Sequence, residues 1–130
     1  MGKLIGPPIS ESEKDWISKQ KIFFHASAPL SKNHRVNISP KSAQQFRVVD
    51  DFTVCWLDLT GSGSETAAHV LQNGRLTVMF VALEGAPKIL RLFGQGELIP
   101  KENLHLPKFK KIVDIFEATK YFPILILYSR

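Results

Sequence analysis

Leu76 to Leu83 is an apolar run broken only by Thr77, and Glu84-Gly85-Ala86-Pro87 closes it as a turn. The run is far below the ~18 residues that cross a bilayer, and it reads as a buried strand. Lys88 to Ile99 then returns as the second arm of a hairpin. Gly94 and Gly96 inside that arm suggest a bulge or a close backbone approach. Phe52 to Leu59 is apolar on both faces, which places it inside a barrel wall or a sandwich. Strands of this kind follow one another with few helices between them. An antiparallel barrel with peripheral helices fits that order better than alternating βαβ units.

The remaining elements are read the same way. Ser10, with Glu13 three residues on, is a capping-box start for a helix running to about Gln20. Ile22 to Ser27 is a strand, and 28–33 is a loop rich in breakers. Arg35 to Ser39 alternates polar and apolar residues, and Pro40 should end that strand. A short helix is expected from Gly63 to Gln72, with Ala67, Val70 and Leu71 on its apolar face. Asn73-Gly74 forms its left-handed stop. Phe109, Ile112, Val113 and Phe116 form a helical stripe, and Pro123 opens a last strand, 124–128. The count is five or six strands and two or three helices.

The 130 residues suffice for one domain, with 1–20 an N-terminal extension and helix, 21–99 the barrel core and 108–130 a helix and last strand. A hydrophobic fraction of 44% against 22% charged residues excludes a disordered chain. The single cysteine, Cys55, excludes an internal disulfide and any multi-thiolate zinc site. It reads as a small buried hydrophobe in its strand. The first residues have no apolar stretch of secretory type, so the expected compartment is the cytoplasm, with the nucleus left open. The formal charge is +5, and its sharpest excess is +4 over 21–50, from Lys21, Lys32, Arg35, Lys41 and Arg47 against Asp50. A polynucleotide or an isolated anionic ligand would each suit that excess. The strand aromatics are not interleaved with basic residues, which makes nucleic acid the weaker reading.

Thr60-Gly-Ser-Gly-Ser-Glu-Thr66 lies between a strand and a helix start. Free backbone N–H groups, the helix dipole and hydroxyls there suit an anion such as a phosphate. The same residues also read as a capping box, Ser62 with Glu65, and the Glu65 carboxylate would repel an anion. Arg35 and Lys41 flank a strand in the basic segment and suit a phosphate monoester, or else are two solvated charges. His25, His34, His69 and His105 are too scattered for a metal site.

The order of these pieces resembles the pyridoxamine 5'-phosphate oxidase-like proteins. The matching pieces are Arg35-x-Asn-x-Ser-Pro-Lys41, Trp56-Leu-Asp-Leu-Thr-Gly-Ser-Gly-Ser-Glu-Thr-Ala-Ala-His69, Asn73-Gly-Arg-Leu-Thr-Val-Met-Phe80 and Arg91-Leu-Phe-Gly-x-Gly96. The resemblance covers about Lys21 to Ile99 and is closest to a short branch of the family. It implies an antiparallel Greek-key split β-barrel of the FMN-binding type. It also implies a homodimer, since family members place the flavin between two subunits. Carried over position by position, Arg35 and Lys41 hold the flavin phosphate, with Val36 and Asn37 between them. Thr60 and Ser64 match hydroxyls of the oxidases, and Glu65 and Thr66 stand where the oxidases have Arg and Lys. A glutamine that meets the flavin ring falls at Ile89, with Arg91 beside it. The C-terminal flavin and substrate residues of the oxidases find no counterpart before Arg130, so 108–130 reads as truncated relative to the family.

The leading expectation is an FMN-binding protein. If it is an enzyme, it is a flavin-dependent oxidoreductase acting on a small molecule, and not a genuine pyridoxamine 5'-phosphate oxidase. Two cations are exchanged at Glu65 and Thr66, so FMN should bind more weakly than in an oxidase. The alternatives are a non-catalytic split-barrel binding protein with weak or no flavin binding, and a basic RNA-binding barrel. No metal and no membrane partner is expected.

Overall fold

The computed structural model describes residues 2–6, 8–58, 64–116 and 123–129. Among them are seven strands: β1 (Ile22–Ser27), β2 (Asn37–Ser42), β3 (Phe46–Asp50), β4 (Thr53–Leu57), β5 (Arg75–Val81), β6 (Ile89–Ile99) and β7 (Ile124–Ser129). Three α-helices join them: α1 (Glu11–Ser18), α2 (Ser64–Asn73) and α3 (Lys110–Ile115). The strands form one antiparallel sheet in the order β2-β1-β5-β6-β7-β4-β3. No described helix is long and apolar enough to cross a membrane.

The sheet curls on itself. Phe46 on the edge strand β3 stacks edge-on against Phe23 of β1, with ring centroids 4.9 Å apart, although four strands lie between them in the sheet. Phe80 and Trp56 complete this aromatic centre, at 5.0 Å from Phe46 and 5.5 Å from Phe23 respectively. Leu76, Val78, Leu90, Leu92, Leu125 and Leu127 fill the same interior from one face of β5, β6 and β7. Full burial of each such side chain contributes ~1.5–3 kcal/mol.

A second cluster explains why β4 is apolar on both faces. Val54 and Trp56 point into the barrel, while Cys55 points out. There it packs with Ile126, Ile99, Ile112, Phe109 and Phe116, so that α3 and the 3-10 turn before it cover the outside of β4 and β7. The stripe read at 109, 112, 113 and 116 is this covering face. Burial pushes the Cys55 thiol up to about 12, which keeps it protonated and inert.

Three expectations are corrected. β3 is not among the strands expected from the sequence, because a five-residue strand interrupted by Arg47 carries little periodic signal. The second strand spans Asn37–Ser42 rather than 35–39, and Pro40 lies inside it. β2 is an edge of the sheet, where the missing proline N–H breaks no ladder bond on the open side. Leu71 is not on the buried face of α2 but exposed, whereas Val70 is buried. Thr66 lies on the buried face of α2. The capping box at Ser10 and Glu13 and the left-handed Gly74, φ 71°, are present as read.

Candidate functional site

Alternation along β1 and β2 decides which side chains face inward. Phe23 pairs with Lys41, His25 with Ser39 and Ser27 with Asn37, so all six share the inner face of the sheet. At this end the interior turns polar: His25, Ser27, Ser39 and Thr66 are all buried. α2 lies over it. Thr66 accepts a hydrogen bond from Asn37 Nδ2 at 2.8 Å, and His69 Nδ1 shares one with Ser27 Oγ at 2.8 Å.

Lys41 is half-buried and has no ion pair among the described residues. Its charge acts on two neighbours. Asp58, at the end of β4, is held above the usual carboxylate range by burial, and Lys41 offsets part of that shift. His25 is lowered to about 4, first by burial and then by Lys41. Among the described residues neither ring nitrogen of His25 has a hydrogen-bond partner, and the neighbouring Trp56 Nε1 has none either.

Arg35 lies two residues before β2, at the same inward parity, but keeps different company. It lines a cleft between the 28–35 loop and the flank of α2, together with His34, Glu65, His69 and Gln72. Val36 is exposed on the opposite face. Ser64 and Glu65 are exposed in the first turn of α2. Arg91 is on the outer face of the barrel, in register with Met79, beside a groove formed with the N-terminal segment. The structure therefore groups Asn37, Thr66 and Ser64 at the start of α2, places Lys41 further along the same inward row of β2 near His25 and Asp58, sets Arg35 with Glu65 in the lateral cleft, and puts Arg91 elsewhere. Thr60 lies outside the described residues, as does Ser62.

Three participants were not singled out from the sequence: His25, the Ser27–His69 pair and Asp58. Only one signal pointed to any of them, the spacing of Glu65 and His69, which puts both on one flank of a helix. Among the described residues, no three His, Cys, Asp or Glu side chains come together to hold a metal ion.

A protein of Aspergillus flavus described as pyridoxamine 5'-phosphate oxidase family protein ustO is 42% identical over 93 residues, which is 70% of this chain. The chain shares the split-barrel fold of the pyridoxamine 5'-phosphate oxidase-like proteins. The match spans 37% of the relative's own length. No protein-family model matches the chain. Among solved structures, a candidate pyridoxamine 5'-phosphate oxidase from Lactobacillus delbrueckii has a TM-score of 0.74 at 12% identity, covering 100% of this chain and 97% of its own. HutZ, a heme storage protein of Vibrio cholerae, has a TM-score of 0.57 at 14% identity, with 95% and 91% covered. An FMN-binding protein of Syntrophomonas wolfei has 0.54 at 14%, with 90% and 80% covered. At these identities the likeness establishes the split-barrel fold.

Proposed function

We propose that this split barrel binds FMN, with the phosphate at the start of α2, and serves as a flavin-dependent oxidoreductase on a small molecule. One observation carries the reading. Lys41 is a half-buried ammonium without an ion partner among the described residues, and it continues the inward polar row of Asn37 and Ser39. The Asn37–Thr66 bond seats the first turn of α2 against that row. An ammonium, the exposed Ser64 hydroxyl and the positive end of a ten-residue helix make a donor set that fits a phosphate, while the Asn37 amide donates its N–H groups to Thr66 and Ser39. Thr66 supports it from behind, since its burial and its bond to Asn37 fix the helix. When bound, the isoalloxazine supplies the electron chemistry, and the protein supplies position and charge. The FMN-binding protein among the structural neighbours is consistent with this reading.

The native protein should therefore carry, or take up, flavin absorbance, with FMN identified by mass in the extract. Lys41→Gln should weaken FMN binding by roughly ten- to a hundredfold, the worth of one charged hydrogen-bond partner, measured by flavin fluorescence quenching. A heme Soret band in place of flavin bands, or equal FMN affinity in the variant, would overturn the assignment. Flavin binding with no reduction by any electron donor tested would leave a binding protein.

The working unit is proposed to be a homodimer. Ile38, Ala26, Thr77 and Phe93 form one cross-strand row on the outer face of β2-β1-β5-β6, and Pro40, Phe24, Met79 and Arg91 form the next. Ile38 and Phe93 are 64% and 57% exposed, so the rows present a broad apolar patch to solvent. Phe93→Arg should shift the mass measured by light scattering from two chains to one. A monomeric parent protein would reject the proposal.

A further inference from the structure

The lateral cleft of about 440 Å³ has one wall from the loop, with His34 and Arg35, and one from α2, with Glu65, His69 and Gln72. It is rigidly framed. Asn73 Nδ2 donates to the Ala28 carbonyl at 2.8 Å, and the Leu30 N–H donates to Gln72 Oε1 at 3.0 Å. At the other end the Asn37–Thr66 bond joins the chain just past Arg35 to the same helix. Arg35 and Glu65 thus stand on opposite walls of one cleft. Among the described residues neither forms an ion pair, with the other or with any third group. His69 is oriented by Ser27, whose hydroxyl engages Nδ1 and leaves Nε2 as the imidazole's second polar atom.

We infer that this cleft binds a zwitterionic small molecule of the amino-acid type, its carboxylate on Arg35 and its ammonium on Glu65, with the histidines beside it. Two opposite unpaired charges on facing walls complement a ligand carrying both signs, while a ligand of one sign meets repulsion from one wall. A guanidinium suits a carboxylate by its planar fork. The volume is at the small end of the range for small-molecule pockets. This site lies beside the proposed phosphate position and does not depend on flavin.

The test uses the full chain without added flavin. The ring C–H signals of His34 and His69 are followed by NMR during titration with glycine, β-alanine and γ-aminobutyrate. Propionate, propylamine and inorganic phosphate serve as single-sign probes. At least one amino acid should bind about tenfold more tightly than propionate and propylamine and move both histidine signals. Arg35→Gln and Glu65→Gln, both at exposed positions, should each abolish that preference. Equal binding of single-sign probes would overturn the inference. So would phosphate binding that tightens in Glu65→Gln, which would make the cleft an anion site. An unmodified protein that binds FMN but shows no amino-acid preference would overturn this inference and leave the flavin reading standing.

Discussion

Gly94→Ala is expected to lower stability by about 3 kcal/mol or more, at the upper end for overpacked sites, and the melting temperature by roughly 10 °C. A Cβ there would sit 2.0 Å from the Tyr128 carbonyl oxygen and 2.7 Å from its carbon. Both are backbone atoms of β7, paired with β6 through the whole register from Gly94 to Ile99. The clash cannot be relieved by a rotamer, so one of two central strands has to move. Gly85→Ala is the contrast. Gly85 has φ 77° with open space around a new Cβ, so it pays only the left-handed backbone cost of about 1 kcal/mol. Thermal unfolding of the two variants checks the order. If Gly94→Ala melts with or above Gly85→Ala, the tight β6–β7 approach is not what stabilises this wall.

His25 should make the protein acid-sensitive. Its folded value of about 4 lies below the ordinary 6.5, because burial and Lys41 both oppose the charged form. Above 6.5 neither state takes the proton and the contribution is constant. Between 6.5 and 4 the unfolded chain is protonated while the folded one is not, so stability falls as pH falls. Below about 4 both bind the proton and the loss levels off. The span corresponds to about 3 kcal/mol between pH 7 and pH 4. His25→Leu should remove most of that loss, and should cost little at pH 7, since it also removes two buried nitrogens that lack partners. Denaturant midpoints of both proteins at a series of pH values give the test. Parallel pH dependences would assign the acid sensitivity to other groups.

The family pattern makes Thr66 look like the natural place to restore a lysine beside a phosphate. Its full burial and its bond to Asn37 say otherwise, because an ammonium there would be desolvated and would unseat α2. Glu65, one residue away, is exposed on the flank of the helix, so its exchange disturbs no packing. Adjacent helical positions point about 100° apart, so a linear motif match carries over the neighbourhood of a site but not the direction of each side chain.

Periodicity and turn chemistry determined much of this protein by themselves. The Ser10 capping box, the Gly74 stop, the hairpin around Gly85 and the two-sided burial of β4 are local or pattern-level facts, and they stand in the structure as read. The motif order from Arg35 to Gly96 was enough to identify the split barrel. Tertiary structure alone decided the rest. It admitted Pro40 into a strand because β2 is an edge, and added β3 because Phe46 finds Phe23 across the closed barrel. It set Lys41 beside His25 and Asp58, and Arg35 opposite Glu65. These are contacts between residues distant in the chain, created when the sheet closes and α2 settles over its polar end. Local propensity depends on neighbours a few positions away. The charge and burial that give a side chain its chemistry depend on whichever distant strand comes to lie beside it.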